Sequence, residues 1–450
     1  MTRTAVLTVA AALAVTSFAP AQPKNREQQV RADKQKVEAD GFWIYNDLPK
    51  AFAEARSTGK PLLVILRCIP CEECVKLDDD LVNQDRRVRP MLEQFVRCRV
   101  VSTNGLDLNL FQYDTDQSFA AFLLNADGTI YGRFGTRSHR TYWSDDVSIE
   151  GLARALTGAL ELHKQYPANK AALAGKRGPA PEVPSPEKYP NLRAPHTGER
   201  YGPTLNYEGN VAQNCIHCHQ IGDAQKALER SRHKPLDERT LFPYPHPKSI
   251  GLILDPKERA TVLRTEPDTP AARAGFHPGD AVVTLAGQPL LSIADVQWVL
   301  HRADPVGATI KAEVQRGDHR EELTLTLPAG WRHRDDISWR ASSWGLRRMG
   351  LGGMALEPLP AEDRPMANLP PGGMALRVKL VGQGAGPHGA AARAGFKKGD
   401  VLVAYDGRTD FRRETDVLAY AVTAHQPGET VTAAVLRDGR RLELTLPMQE

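Results

Sequence analysis

Apolar and polar positions alternate along this chain in blocks, and the blocks define elements. After a polar stretch at 22–40, the run DLPKAFAEARSTGK has helical apolar spacing and stops near Gly59. LLVIL (62–66) is uninterrupted apolar sequence, the pattern of a strand covered on both faces. FVRCRVVS (95–102) predicts a second strand, FAAFLLNADGTIYGRFG (119–135) a hairpin turning at Asp127-Gly128, and IEGLARALTGALELHKQ (149–165) a helix. Helices and strands alternate around one buried strand, which predicts an α/β domain over 41–165. The proline-rich stretch 166–204 reads as a linker. A short segment, 205–247, carries NCIHCHQ.

The rest of the chain repeats itself. PAARAGFHPGDAVVTLAGQ (270–288) returns as AAARAGFKKGDVLVAYDGR about 120 residues later, and VQRGDHREELTLTLP as VLRDGRRLELTLP. Two copies of one β-rich domain are expected, over 248–330 and 340–450. The whole is multidomain, α/β plus β-rich.

Charge excludes little but removes one class. With 58 basic and 54 acidic residues and no dense basic patch, nothing points to nucleic acid. The first 21 residues have a lone Arg3, an apolar run and Ala19-Pro20-Ala21, the layout of a cleaved signal peptide. Residues 22–40 would come next as a solvated tether or frayed helix. No later segment is apolar enough to span a membrane, so an exported, periplasmic or cell-envelope protein is expected. Oxidising surroundings let paired cysteines form disulfides.

The six cysteines cluster: Cys68, Cys71 and Cys74, then Cys98, then Cys215 and Cys218. RCIPCEECVKLD contains two overlapping C-x-x-C pairs. Together with Lys60-Pro61 and LLVIL, it resembles the thioredoxin superfamily, especially the exported thioredoxin-like domains of bacterial disulfide reductases. Laid on that pattern, the redox pair falls on Cys71 and Cys74, with Cys68 as an accessory thiol. The competing register, Cys68–Cys71, has Pro70 before its second cysteine but follows the strand with too little loop. A cysteine at a helix start has its thiolate stabilised, and a partner three residues on lies close enough to resolve a mixed disulfide. Glu72 and Glu73 oppose thiolate formation. The resemblance also implies a cis-proline near Phe119, where DQSFAAFLL has none. A structural disulfide and a metal site are the other readings of the cluster. Cys98, inside a predicted strand, reads as a core thiol.

Cys215-Ile216-His217-Cys218-His219 matches C-x-x-C-H, the pattern of covalent haem c attachment, in which His219 would be the proximal iron ligand. A sixth ligand would come from His233, His246, Met349, Met354, Met366 or Met374. The alternatives are a second disulfide and a zinc site built from Cys215, Cys218, His217 or His219.

The repeated A-x-A-G-F-x-x-G-D resembles the PDZ domains of bacterial exported proteases. That likeness implies capture of protein or peptide C-termini by strand addition, with a loop of backbone N–H groups on the carboxylate. The loops fall at Ser249-Ile250-Gly251-Leu252 and at Leu351-Gly352-Gly353-Met354. No serine protease motif accompanies them. The combination resembles a bacterial exported thioredoxin-like/PDZ family, some of whose members are selenoproteins. The function it implies is thiol–disulfide exchange with PDZ-recruited partners, or, alternatively, a PDZ adaptor with a redox-silent thioredoxin fold.

Overall fold

The computed structural model describes residues 25–67, 88–117, 119–139, 145–194, 198–365, 369 and 372–450. The expected signal peptide, Cys68, Cys71, Cys74 and Met366 lie outside the described residues.

Helix α1 (Arg26–Asp40) starts at Asn25, whose side chain accepts from Glu27 N–H, and ends at Gly41 in the left-handed region, φ 64°. This is the stretch expected as a solvated tether or frayed helix. It holds as a helix because Val30 and Val37, seven residues apart, are both buried. Strand β1 (Ile44–Tyr45) and helix α2 (Leu48–Thr58) follow, then β2 (Leu62–Arg67), β3 (Val96–Val100), β4 (Phe119–Leu124) and β5 (Ile130–Phe134). The sheet order is β1-β3-β2-β4-β5, with β2 parallel to β3 and antiparallel to β4. Every residue of β2 and β4 is buried, as their unbroken apolar runs require. One face packs on α2 through Ala51 and Ala55. The other packs on helix α3 (Ile149–Lys164) through Leu152, Ala155, Leu156 and Ala159.

The stretch read as a linker is instead a packed strap. Val183, Tyr189, Leu192, Ala194 and Tyr201 join the core on the α2 face of the sheet. Its prolines exclude long regular elements but not burial, and the surfaces that bury it come from the sheet and from the segment at 216–224. Helix α4 (Cys218–Arg230) packs on the same face through Ile221 and Ala224.

The first repeat comprises the β6–β7 pair (Leu252–Leu254, Val262–Thr265), strands β8 (Ala281–Leu285), β9 (Gln288–Pro289), β10 (Ala308–Arg316) and β11 (His319–Leu327), and helix α5 (Ile293–Arg302). The second comprises helix α6 (Ser343–Leu351), strands β12 (Met354–Pro358), β13 (Leu376–Val381), β14 (Val401–Tyr405), β15 (Thr430–Arg437) and β16 (Arg440–Pro447), and helix α7 (Glu414–Ala424). The repeated A-G-F-x-x-G-D has one physical purpose in both copies. Asp280 accepts from His277 N–H at 2.8 Å and pairs with Arg316, which also donates to Gly275 O. Asp400 accepts from Lys397 N–H at 2.9 Å and pairs with Arg437, which donates to Gly395 O. Gly275 and Gly395 have φ of 84° and 94°, which only glycine adopts without strain.

Helix α5 does not face solvent. Asp295 forms an ion pair with Lys176 of the strap at 2.9 Å, with side-chain exposures of 1% and 0%. Ser292 donates to Arg133 O of β5 and Trp298 Nε1 to Gly175 O of the strap. The first repeat is thereby locked onto β5 and the strap.

Candidate functional site

The central strand β2 ends at Arg67, and the next residue is Cys68, so the three-cysteine segment leaves from the C-terminal end of the buried strand. The C-I-H-C-H segment is held at that same end. Asn104, just after β3, accepts from Ile216 N–H at 2.9 Å and donates to Asn214 O at 3.0 Å. Thr103 donates to Ile216 O through both its N–H, at 3.1 Å, and its hydroxyl, at 2.9 Å. A narrow crevice is lined by Leu66 and Arg67 of β2, by Val100 to Thr103, and by Ile216 to Cys218. The C-I-H-C-H segment thus lies against the strand end at which the chain runs on into Cys68.

His217 precedes helix α4, its N–H donating to the Gln220 side chain at 2.8 Å, and Cys218 is the first helical residue. The thiols have different surroundings. Cys215 is 2% exposed, in a small cluster with Val30, Val101, Leu205 and Val211, and burial pushes its thiol up to about 11. Cys218 is half-buried and faces the Tyr113 hydroxyl, against the apolar face that contains Ile216 and Ile221. Burial, aided by His219 and Arg26, pushes His217 down to about 4. Burial also lowers His219, partly offset by Asp116. The two rings lie parallel, centroids 5.8 Å apart. Cys98 sits in β3, as expected of a core thiol, and burial raises it to about 12.

These residues do not fit a covalent haem as they stand. The two thiols point into different apolar clusters, and the adjoining crevice is far smaller than a porphyrin. Of the expected sixth ligands, Met349, Met354 and Met374 are core residues of the second repeat, His246 pairs with Asp146, and His233 is exposed. Among the described residues no group of three or more His, Cys, Asp or Glu side chains is placed to hold a metal ion.

Sequence reasoning missed a buried charge network that anchors α4. Arg340 donates to both oxygens of Asp114 at 2.7 and 2.8 Å. Asp116 accepts from Ser342 N–H and hydroxyl, both at 2.7 Å, and Lys226 of α4 donates to the same hydroxyl. Burial lowers Lys226, opposed chiefly by the Asp116 carboxylate. No periodicity marks these residues, because charges default to the surface and only tertiary contact buries them.

The two expected carboxylate-binding loops are present with their glycines at positive φ, 76° at Gly251, 56° at Gly352 and 88° at Gly353. Their groups are already engaged. Gly251 N–H donates to Lys248 O, Ile250 and Leu252 are core, and Lys248 reaches Asp146 of the α/β domain at 2.7 Å. In the second copy Leu351 is core, Gly352 O accepts from Ala391 N–H, and Gly353 N–H donates to Arg347 O. Leu356 N–H of β12 donates to Glu414 at 2.7 Å, and Glu414 also pairs with Arg347. Strand β12 lies at the edge of its sheet.

Comparison with known proteins agrees with the architecture. A family model described as Thioredoxin-like matches residues 43–126, and one described as PDZ domain matches residues 237–327 and 380–448. A probable periplasmic serine endoprotease DegP-like of Pseudomonas savastanoi pv. phaseolicola is 27% identical over 208 residues, 45% of this chain and 40% of that protein. Its namesake in Halomonas elongata is 30% identical over 152 residues, 33% and 29% of the two chains. The chain spans about two fifths or less of the curated relatives it matches. The solved HtrA-type protease AlgW with tripeptide is 25% identical, covering 22% of this chain and 30% of that one, with a TM-score of 0.18. Family models and sheet topology together give one assignment: a thioredoxin-like domain followed by two PDZ domains.

Proposed function

We propose that the chain is an exported, periplasmic thiol–disulfide redox protein whose PDZ modules bring it to protein partners. The observation that supports this reading is the packing of the C-I-H-C-H segment against the C-terminal end of β2, where the chain runs on into the three-cysteine sequence. Location rests on the names of the relatives, which are periplasmic proteases. Their proteolytic activity is not proposed for this chain, which lacks a serine protease motif.

In the reductive direction the Cys71 thiolate attacks one sulfur of a partner disulfide. The partner's S–S bond breaks, a mixed disulfide forms, and one partner thiolate leaves and takes a proton. Cys74 then loses its proton and attacks Cys71, releasing the second partner thiol. The partner gains two electrons and two protons, and Cys71 and Cys74 end as a disulfide. The oxidative direction is the same sequence reversed. Partner capture belongs to the second PDZ copy, since its β12 is an open sheet edge while the first copy is pressed against the thioredoxin-like domain. Glu414 must release Leu356 N–H before a peptide strand can add there.

The test is thiol trapping in single-cysteine variants. Cys74→Ser should accumulate mixed disulfides through Cys71, and Cys68→Ser should leave turnover intact. Trapping at Cys68 in Cys71→Ser would move the pair to the other register. Absence of exchange in the wild type would sink the redox reading. It would leave the adaptor, which the lack of a proline in DQSFAAFLL favours.

A further inference from the structure

A cavity of about 380 Å³ lies where the thioredoxin-like domain, helix α4 and the first PDZ domain meet. That volume is in the range of small-molecule sites, roughly 300–1,000 Å³, and domain junctions are where such sites tend to form. Its floor is apolar, from Leu108, Phe111 and Ile221. One wall is aromatic. Tyr244 and His301 stack with centroids 4.0 Å apart and planes 11° apart, and Trp298 lies 6.3 Å from His301.

The charges around it are unequal in commitment. Among the acids, Glu229 accepts from the Thr240 hydroxyl at 2.6 Å and from Asp237 N–H at 3.2 Å. Asp237 accepts from Arg239 N–H at 2.7 Å, and Asp116 takes both of its bonds from Ser342. Among the bases, Lys226 is tied to Ser342. Arg239 and Arg302 are not: among the described residues neither guanidinium makes a side-chain hydrogen bond or ion pair, and Arg239 Nε is buried without a partner. A buried donor left unpaired is costly, so an acceptor in the cavity would be stabilised by both forks. Burial and then the guanidiniums of Arg332, Arg302, Arg239 and Arg340 hold His301 well below the usual histidine range, so the aromatic wall stays uncharged at neutral pH. Arg302 is exposed at the mouth, which leaves the cavity open to solvent.

We propose that this junction cavity binds a small planar aromatic anion, its ring against Tyr244, His301 and Trp298 and its carboxylate, sulfonate or phosphate on Arg239 and Arg302. Because Tyr113 lines the cavity and also faces Cys218, a bound ring would lie one side chain from that thiol.

The probe is naphthalene-1-sulfonate, with the neutral naphthalene-1-sulfonamide as its isostere, titrated calorimetrically into the full chain. The sulfonate should bind and the sulfonamide should bind at least roughly tenfold more weakly, the size of losing charge-assisted bonds. The double variant Arg239→Gln, Arg302→Gln removes groups that hold nothing else, so it should fold, lose the sulfonate preference and bind both probes equally. Equal affinity of the two probes in the wild type, no heat from either, or an unchanged preference in the double variant would each overturn the proposal.

Discussion

Replacing Asp295 by alanine should loosen the first PDZ domain from the thioredoxin-like domain, by an amount the structure allows one to estimate. Asp295 is paired with Lys176 at 2.9 Å and accepts from Leu291 N–H at 2.9 Å and Arg133 N–H at 3.2 Å. Alanine strands a fully buried ammonium, which costs about 3–5 kcal/mol. Each backbone N–H left unpaired adds on the order of 1 kcal/mol, not strictly additively. Asp295→Asn keeps an acceptor for the two N–H groups and should lose mainly the charge contribution. Lys176→Met with Asp295→Ala removes the stranded charge and should recover most of the loss.

The pH dependence has a definite sign. Burial already lowers Lys176, and removing its carboxylate lowers it further. A lysine whose folded pKa is depressed destabilises the fold at low pH, where both states are protonated. That penalty fades as pH rises above the folded value, because the folded state no longer has to bury the charge while the unfolded state still binds a proton. The Asp295→Ala deficit should therefore shrink as pH rises from 7 toward 10. The assay is urea denaturation followed by tryptophan fluorescence, read as a midpoint shift because several domains contribute, with amide exchange at β5 as the local probe. A single variant within about 0.5 kcal/mol of wild type at pH 7, the level of an ordinary surface change, would refute the reasoning. So would a double variant worse than the single one.

Two further outcomes concern the C-I-H-C-H segment. In a variant with Cys68, Cys71 and Cys74 replaced by serine, iodoacetamide at pH 8 should modify Cys218 well before Cys215; a thiol at about 11 carries on the order of 100-fold less thiolate than an ordinary one, before burial is counted. Equal rates, monitored by peptide mass spectrometry, would contradict the buried placement of Cys215. His217, held near 4, should show a proton NMR titration midpoint far below the usual 6.5. Between those values the unfolded chain binds a proton that the folded one does not. Stability from this group therefore falls as pH drops from about 6.5 to 4, and His217→Gln should flatten that limb of the acid unfolding curve.

What was legible in the sequence was whatever local pattern determines. LLVIL had to be covered on both faces, and it is, and FAAFLLNADGTIYGRFG forms the expected hairpin strands. The helix at 149–164 buries the stripe its spacing marked out. The A-G-F-x-x-G-D repeat identified both PDZ domains because its glycines and aspartate serve one local turn. The strap at 170–204 and helix α1 were not legible. Their burial depends on surfaces supplied from distant sequence: Val30 is covered by Val101, Leu205 and Val211, and Lys176 is neutralised by Asp295. A polar stretch looks the same to periodicity whether or not such a partner exists.

The candidate site divides along the same line. Motif spacing located Cys215, Cys218 and His219 and suggested haem, since C-x-x-C-H states which side chains are near one another along the chain. It does not state which way each thiol points. That was decided by Asn104 and Thr103 pinning Ile216, which turns Cys215 inward and leaves Cys218 at the start of α4. The PDZ loops show the converse. The sequence places the loops, but whether a loop N–H is free for a carboxylate depends on the acceptors packed around it. Lys248 O and Arg347 O take Gly251 and Gly353, and Glu414 takes Leu356. Each of these bonds must break before a peptide end can bind in the expected way. The first copy also has α5 locked to the strap through Asp295. On the function proposed here, partner recruitment would fall to the second copy, while the first packs against the thioredoxin-like domain through α5 and the strap.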